Sequence, residues 1–232
     1  MAVDWLQSVS SKPKAQDTTA LRHVFENISA VSCPLSFNFH MHTVCSDGRL
    51  QPEALVQQAI AIGLKGFAIT DHHSVDGYRV AQRWLDEQSD RHSLPHLWTG
   101  VEVTSQLLGT EVHILGYGFA PHHASMVPYL LGHAPLDPED YNAGSVIDSI
   151  HAAGGLVVLA HPVRYRRSPE ELIAAAAQLG IDGVETFYAY DNPDPWRASP
   201  KQTQRVTSLS RAYSLLNTCG TDTHGTSLLQ RL

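Results

Sequence analysis

Residues 37–48 read Phe-Asn-Phe-His-Met-His-Thr-Val-Cys-Ser-Asp-Gly, in which two histidines one residue apart are followed by an aspartate. Side chains two positions apart on a β-strand point to the same face, so His40 and His42 would share a polar face opposite an apolar one. Gly48 permits a tight turn that can bring Asp47 back toward the imidazoles. A packed core needs no such arrangement. The stretch therefore predicts a strand that ends in a metal site.

Beyond this stretch the sequence alternates between helical and strand patterns. A helix that begins at Pro52 and is stopped by Gly63 precedes the apolar strand 66–70. Further strands are predicted at 97–103, 156–160, 183–187 and 215–218, with a hairpin partner at 111–117. Further helices are predicted at 78–88, 145–153, 169–179 and 201–213. This alternation predicts an α/β barrel whose strands are covered on the outside by helices.

Acidic residues and histidines recur where these predicted strands end. In an α/β barrel the carboxyl ends of the strands form the face that carries the active site. A single histidine is more often a structural residue, but that explanation would have to hold separately at every strand end. We therefore predict nine metal ligands, which are His40, His42, Asp47, His72, Glu102, His113, His161, Asp222 and His224. Two of them keep a structural alternative, since Asp47 before Gly48 could be only a turn residue and His113 could be only a side chain of the barrel wall.

Two residues beside this set have more than one interpretation. Asp71 could cap a helix or could orient a metal ligand from outside. His73 could hydrogen-bond a substrate or face solvent. The remaining histidines lie away from the strand ends and are assigned no chemistry; they are His23, His92, His96, His122, His123, His133 and His151.

Composition limits the classes of protein to which this chain can belong. Its 232 residues, 43% of them hydrophobic, suffice for one sizeable core. The formal charge of −7 and the pI near 6.0 argue against binding of duplex DNA, although metal ions could still hold a small anionic substrate. Three cysteines without a Cys-x-x-Cys pair indicate a reducing compartment, so we expect a cytoplasmic protein. No apolar run reaches the ~18 residues of a membrane span.

The chain is expected to form one folded domain over residues 35–232, preceded by an N-terminal extension over residues 1–34 with a short helix near 21–28. Residues 120–142 interrupt the alternation with several prolines and a His-His pair, which predicts a surface loop that could act as a lid. The sequence does not indicate an oligomeric state.

The motifs that carry the candidate ligands occur in the order found in a known family. They are His-x-His-Thr-x-x-Ser-Asp-Gly at 40–48, Thr-Asp-His at 70–72, Gly-Val-Glu at 100–102, the strand histidine at 113, Ala-His-Pro at 160–162 and Gly-x-Asp-x-His at 220–224. In this set the chain resembles the PHP (polymerase and histidinol phosphatase) domain family over roughly residues 36–226. The resemblance implies a distorted, TIM-like (βα)7 barrel.

The resemblance also implies two or three divalent metal ions and a division of the ligands among them. The first ion would be bound by His40, His42, Glu102 and Asp222. Glu102 would bridge to a second ion completed by His113 and His161, and the third would be bound by Asp47, His72 and His224. Mixed nitrogen and oxygen ligands suit Mn, Zn or Fe.

Such a centre is suited to phosphate ester hydrolysis. Two cations ~3.5 to 4 Å apart can share a hydroxide, direct it at phosphorus and neutralise the phosphoryl oxygens. We therefore expect a metal-dependent phosphoesterase that hydrolyses a phosphate monoester of a small molecule or nucleotide through a metal-bound hydroxide. No covalent nucleophile is required.

Within the family, Ala-His-Pro-Val-Arg-Tyr at 160–165 most resembles the branch that hydrolyses nucleoside 3',5'-bisphosphates and the 5' ends of short RNAs. Arg164 would then bind a substrate phosphate, unless it is only an exposed member of a basic cluster with Arg166 and Arg167. That branch usually carries a large helical insertion before Ala-His-Pro, where this chain has a short Pro-rich segment.

Other functions remain open at this point. A histidinol-phosphate-type phosphatase belongs to the same family, and some PHP domains attached to polymerases are non-catalytic binding modules. Hydrolysis in the amidohydrolase manner also uses His-x-His on a first strand, but it lacks a bridging glutamate and a third site.

Overall fold

Helices and strands alternate along the computed structural model, which describes residues 14–88 and 94–232. The strands are β1 (Phe37–Asn38), β2 (Gly66–Ala68), β3 (His96–Trp98), β4 (Gly100–Leu107), β5 (Thr110–Tyr117), β6 (Leu156–Leu159), β7 (Gly183–Phe187) and β8 (Leu216–Cys219). The α-helices are α1 (Thr18–Glu26), α2 (Pro52–Ile62), α3 (Asp76–Glu87), α4 (Ala143–Ala152), α5 (Pro169–Gln178) and α6 (Pro200–Ala212). The predictions for His92 and for residues 1–13 lie outside the described residues.

The predicted helices are confirmed, and their ends have clear local causes. Helix α2 begins at Pro52, whose fixed φ suits a first turn, and ends at Gly63, which has a φ of 84°. Helix α5 begins with a capping box in which Ser168 and Glu171 each bond the other's backbone N–H. None of the described helices has the length and apolar character that crossing a bilayer requires.

The strands form two sheets in a mixed α/β fold. Strands β1, β2 and β3 pair in parallel in that order. The second sheet has the order β4-β5-β6-β7-β8, in which β4, β5 and β6 pair antiparallel and β6, β7 and β8 pair in parallel. The predicted hairpin of residues 111–117 is confirmed as the β4-β5 pair.

Single bridges join the first sheet to the two edge strands of the second sheet, β4 and β8. Met41, beyond β1, bridges to Thr223, beyond β8, and His72, beyond β2, bridges to Glu102 in β4. Backbone hydrogen bonds run across both junctions, from the N–H of Asp222 to the carbonyl of His40 and from that of His73 to the carbonyl of Glu102. The carboxyl end of β1 therefore meets that of β8, and the carboxyl end of β2 meets the first half of β4.

The prediction of a single strand over residues 97–103 is wrong. The chain forms two strands there, β3 and β4, and passes from one sheet to the other at Thr99. Gly100 allows this passage, since a Cβ there would lie 2.4 Å from the carbonyl oxygen of Ile69. Alternating apolar residues could not show this close approach of two backbones.

The aromatic face of the first strand packs under α1. Phe39 is fully buried, and its ring centroid lies 4.9 Å from that of Phe25 in α1 and 6.0 Å from that of Tyr117. Burying each such side chain contributes about 1.5–3 kcal/mol. His40 and His42 are also buried and contact Glu102, away from these rings. The predicted alternation of side chains therefore holds, although β1 itself ends at Asn38 and the two histidines lie in the segment after it.

The segment 120–142 is only in part the predicted surface loop. It contains a 3-10 helix at Ala124–Tyr129, in which Met126 and Tyr129 are fully buried. Two apolar side chains three positions apart fall on one side of such a turn and reach the core. The segment also lies beside the site, because the N–H of Gly132 donates to the carbonyl oxygen of His73.

Candidate metal centre

All nine predicted ligands lie at the end of the molecule where the two sheets are bridged. His40 and His42 follow β1, Asp47 lies in the next turn, and His72 follows β2. Glu102 and His113 belong to β4 and β5, whereas His161, Asp222 and His224 follow β6 and β8. Residues separated by up to 184 positions in sequence are thus brought together by the ends of different strands.

Glu102 is the centre of this arrangement and is almost fully buried. Its Oε1 lies 2.8 Å from Nδ1 of His113 and 3.3 Å from Nε2 of His161. Its Oε2 lies 2.9 Å from Nε2 of His40 and 3.1 Å from Nε2 of His42. The two oxygens of one carboxylate therefore face two different sets of imidazoles.

Three groups of potential ligand atoms can be distinguished, within each of which all atoms lie inside 4.8 Å of one another. The inner group is His40, His42, Glu102 and Asp222, and all four are buried. The middle group is His72, Glu102 and His113. The outer group is His42, Asp47, His72 and His224. His42 and His72 thus each belong to two groups, which the division implied by the resemblance did not include.

His161 lies near the middle group without belonging to it in this geometry. Its Nε2 is 3.3 Å from Glu102, and its Nδ1 is buried without a hydrogen-bond partner. The middle and outer groups are more open than the inner one, since the side chain of Asp47 is 54% exposed. A substrate can therefore approach from the Asp47 side, while the inner group is closed to solvent.

The chemistry of these groups fits cations. Burial alone would lower the pKa of His40, but the carboxylates of Glu102, Glu185 and Asp222 raise it well above its usual range. Burial likewise opposes a charge on His42, yet the adjacent carboxylates of Asp222 and Glu102 raise its pKa to about 9. The inner group thus favours positive charge at its centre.

The pKa values of the carboxylates also indicate that the inner group favours a cation. Burial would raise the pKa of Glu102 and of Asp222, but the surrounding imidazoles hold both well below their usual range. Nε2 of His42 lies 3.1 Å from Glu102 and 3.2 Å from Asp222, close enough for the carboxylates to act on its charge, but both ring nitrogens are buried without a hydrogen bond of good geometry. Buried nitrogen atoms that converge on carboxylate oxygens without bonding well are what a set of metal ligands presents.

Hydrogen bonds at the other ring nitrogen orient the imidazoles of His224 and His40. Nδ1 of His224 lies 2.8 Å from the carbonyl oxygen of Asp222 and donates to it, which leaves Nε2 facing Asp47 at 3.1 Å. Nδ1 of His40 lies 2.9 Å from Oε1 of Glu185. A ring whose far nitrogen donates to an oxygen presents a lone pair on its other nitrogen, as a metal ligand must.

Asp222 is held by a second set of donors on its outer oxygen. Oδ2 accepts from the hydroxyl of Tyr188 at 2.6 Å, from Arg231 at 2.9 Å and from Arg164 at 3.1 Å. Asp222 also has a positive φ of 53°. The predicted phosphate-binding residue Arg164 therefore lies at the edge of the inner group, with its side chain 40% exposed.

Asp71 does not cap a helix, because α3 begins after Val75 and its N-cap makes no side-chain bond. Instead, the buried carboxylate of Asp71 accepts from the N–H of Thr43 at 2.6 Å, the hydroxyl of Thr43 at 2.7 Å and that of Ser46 at 2.8 Å. Asp71 thus fastens the turn that carries Asp47, which agrees with the alternative of an orienting residue.

His73 does not face solvent, which was one of its two interpretations, and its contact with a substrate stays a prediction. It is 3% exposed, and its Nε2 accepts from the backbone N–H of Thr104 at 3.1 Å. Burial lowers its pKa to about 4. A neutral, buried ring engaged with β4 favours a structural role over direct contact with a substrate.

Glu185, Tyr188 and Arg231 were not among the predicted site residues. Glu185 had one signal in the sequence, since it is a lone carboxylate within the apolar strand Gly183–Phe187. Tyr188 and Arg231 had none, because neither falls in a motif and only the folded chain brings them to Asp222.

Comparison with known proteins places these observations in context. The model of the PHP domain family matches residues 38–153. The 5'-3' exoribonuclease Rnm of Salmonella typhimurium is 24% identical over 268 aligned positions, which cover 85% of this chain and 88% of the relative. Because the alignment is longer than this chain, the relative carries segments that this chain lacks.

Two solved structures share the fold. An amidohydrolase from Chromobacterium violaceum has a TM-score of 0.68 and 20% identity, over 82% of this chain and 88% of that one. A candidate metal-dependent phosphoesterase from Bifidobacterium adolescentis has a TM-score of 0.65 and 24% identity, over 83% of this chain and 89% of that one.

Proposed function

This chain belongs to the PHP domain family of metal-dependent phosphoesterases, and from this premise we propose that it hydrolyses phosphate esters of nucleotides at a centre of two or three divalent metal ions. The proposed ligands are His40, His42, Asp47, His72, Glu102, His113, His161, Asp222 and His224. Imidazole and carboxylate ligands suit Zn, Mn or Fe. We also propose that the two bridged sheets form one distorted barrel of the (βα)7 type over residues 35–232.

The observation that carries this proposal is the position of Glu102. Its Oε2 faces the inner group and its Oε1 faces His113 and His161. A buried carboxylate with each oxygen among separate imidazoles is suited to bridging two cations. When bound, such ions lower the pKa of a water molecule and neutralise charge on the phosphoryl oxygens.

Charge supports an anionic substrate. Three of the proposed ligands, Asp47, Glu102 and Asp222, carry one negative charge each, whereas two or three divalent ions supply more positive charge than these carboxylates remove. The loaded centre would therefore attract a phosphate group, despite the overall charge of −7. Attraction of this kind is local and does not require a basic protein surface.

The position of Arg164 supports a substrate that has a second phosphate group. Its guanidinium lies 3.1 Å from Asp222 and 3.2 Å from the hydroxyl of Tyr188, and its exposed part lies beside the ligands. From there the planar guanidinium of Arg164 can bind a second substrate phosphate, one that the metal ions do not bind. We propose that this second phosphate belongs to a nucleoside 3',5'-bisphosphate or to the 5' end of a short RNA.

The relatives support the nucleotide part of this proposal, because the Salmonella protein is named a 5'-3' exoribonuclease. The segments that this chain lacks relative to it favour a small substrate, with fewer contacts along an RNA strand.

Phosphate release tests the proposal. The protein loaded with Mn²⁺ or Zn²⁺ would be given adenosine 3',5'-bisphosphate, a short 5'-phosphorylated RNA and histidinol phosphate in parallel, with the metal-free protein as control. We expect metal-dependent turnover of the bisphosphate or the RNA. Turnover of histidinol phosphate alone, or of none of the three by protein with bound metal, would contradict it.

A further inference from the structure

Glu185 lies in β7, behind the inner group, and is fully buried. Its Oε1 lies 2.9 Å from Nδ1 of His40, and its Oε2 accepts from the backbone N–H of His161 at 2.8 Å. One carboxylate therefore contacts two of the proposed ligands, which come from the ends of two different strands.

The surroundings are shaped around this contact. A Cβ at Gly220 would lie 2.1 Å from Cβ of His40 and 2.9 Å from Oε1 of Glu185. Any other residue at this position would therefore displace the backbone or side chain of His40, or the carboxylate of Glu185. The glycine of the Gly-x-Asp-x-His motif thus leaves the space in which His40 and Glu185 meet.

The backbone of His161 also depends on a specific partner. Its φ of 25° is unusual for a residue with a side chain, and such a conformation is retained only where the surroundings hold it. The hydrogen bond from its N–H to Glu185 is a buried contact that does so. A charged acceptor makes this bond stronger than a neutral acceptor would.

We propose that Glu185 is a positioning residue of the metal centre, which keeps the proton of His40 on Nδ1 and holds the backbone of His161 in place. This inference rests on the proposed function, since it requires that the nine residues bind metal. With its proton on Nδ1, His40 presents the lone pair of Nε2 toward Glu102 and Asp222.

Glu185 acts through its neighbours and not as a ligand. Its contacts with His40 and His161 occupy one oxygen each, and it belongs to none of the three groups of converging ligand atoms. Its charge therefore acts on the inner group through the ring of His40.

Replacement by glutamine isolates this role, because both partners of Glu185 are donors. If the glutamine carbonyl faces the N–H of His161, its NH₂ group faces Nδ1 of His40. The ring must then accept at Nδ1 and carry its proton on Nε2, where it blocks metal binding. In the opposite orientation two N–H donors meet at His161. In neither orientation can the glutamine accept a hydrogen bond from both His40 and His161.

The matched control is Thr186→Val. Thr186 is the next residue in β7, is also buried, and donates to Oδ1 of Asn217 at 2.6 Å. This variant loses a buried hydrogen bond of the same strand without touching a proposed ligand. It therefore reports the general cost of weakening β7.

The experiment measures Zn²⁺ affinity and the nitrogen-15 spectrum of the histidine rings in the Zn²⁺-loaded protein. In the wild type we expect His40 to carry an exchange-protected proton on Nδ1. For Glu185→Gln we expect that resonance to be lost and Zn²⁺ affinity to fall by roughly 10- to 100-fold. Thr186→Val should keep both.

The outcomes separate this inference from the function on which it rests. Wild-type protein that binds no metal would overturn both. Glu185→Gln with wild-type affinity and an unchanged His40 resonance would overturn the inference alone. If Glu185→Gln does not fold, the wild-type spectrum decides, because an unprotonated Nδ1 on His40 would refute the proposed contact.

Discussion

Replacing Asp222 by asparagine should release metal from the inner group while leaving the fold in place. The φ of 53° at this position lies in the left-handed region, where asparagine and aspartate are better tolerated than other residues with side chains. The partners of Oδ2 described above, Tyr188, Arg164 and Arg231, are all donors. The asparagine must therefore place its carbonyl oxygen there.

Its NH₂ group then faces the imidazoles. Oδ1 of Asp222 lies 3.3 Å from Nε2 of His40 and 3.2 Å from Nε2 of His42, at the position that the nitrogen would take. An amide nitrogen cannot bind a metal ion. The inner group thus loses one of its four ligands, while its outline remains the same.

The magnitude follows from these contacts. Loss of an orienting residue outside the ligands costs roughly 10- to 100-fold in metal affinity, so loss of a ligand should cost at least about 100-fold, or about 3 kcal/mol. Stability should change less, because the asparagine oxygen still accepts from the same donors. Bonds from charged groups are worth about 1.5–3 kcal/mol and lose roughly half of this with a neutral acceptor. Since Arg164 and Arg231 are partly exposed, we expect a net loss of about 2 kcal/mol.

Metal analysis, calorimetric titration with Zn²⁺ and thermal unfolding of the metal-free protein measure these effects. Asp182→Asn is the matched control, because Asp182 accepts from Arg22 at 2.7 Å, lies 2.8 Å from His151 and accepts from the N–H of Val157 at 2.9 Å, outside the site. It should lose similar stability and keep its metal. An Asp222→Asn variant with wild-type metal affinity would refute the assignment of Asp222 as a ligand.

Three further results are expected. Burial lowers the pKa of His42, but the adjacent carboxylates of Asp222 and Glu102 raise it to about 9 in the metal-free protein. The attraction between protonated His42 and these carboxylates therefore stabilises the metal-free fold fully below about pH 6.5, and this stabilisation is lost as the pH rises through about 9. Because a metal ion must displace that proton, and His40 in the same group also has a raised pKa, Zn²⁺ affinity should rise at least about tenfold per pH unit from pH 7 to 9. Calorimetry in two buffers that shows no proton release would contradict this. Asp71→Ala leaves three donors without their acceptor, two of them on buried Thr43 and one on half-buried Ser46, so it should cost about 3 kcal/mol and lower the Tm by roughly 6–12 °C. Metal should also be lost from the outer group, and an unchanged melting curve would argue against the fastening role of Asp71. Arg164→Ala should raise KM for a nucleoside bisphosphate about 10-fold or more, because a phosphate contact is lost. The control Arg166→Ala, at an exposed neighbouring position, should leave KM unchanged. Equal effects of the two would indicate that Arg164 only attracts the substrate by its charge and makes no specific contact.

Several parts of the fold could be read from local patterns, because local chemistry specifies them. Pro52 and Gly63 define the ends of α2, and the turn after Leu107 defines the β4-β5 hairpin. The alternation of Phe39, His40, Met41 and His42 specifies which side chains enter the core and which enter the site. All of these depend on residues close together in the chain.

The passage of the chain at Thr99 and the buried 3-10 helix around Tyr129 could not be read in this way. Gly100 permits the first because it lies against the carbonyl of Ile69, which is 31 positions earlier in the sequence. The second depends on whether a neighbouring surface is present to cover Met126 and Tyr129. Both are properties of packing between distant segments.

The same division holds for the candidate site. The sequence alone determined the types of ligand, their placement at strand ends and the strand faces that bear them, because these follow from periodicity and from the chemistry of imidazole and carboxylate groups. Only the tertiary structure decided that Glu102 faces two sets of imidazoles, that His42 is shared between groups, and that Glu185 lies behind His40. These are distances between strands far apart in sequence, and they are set by how the two sheets meet.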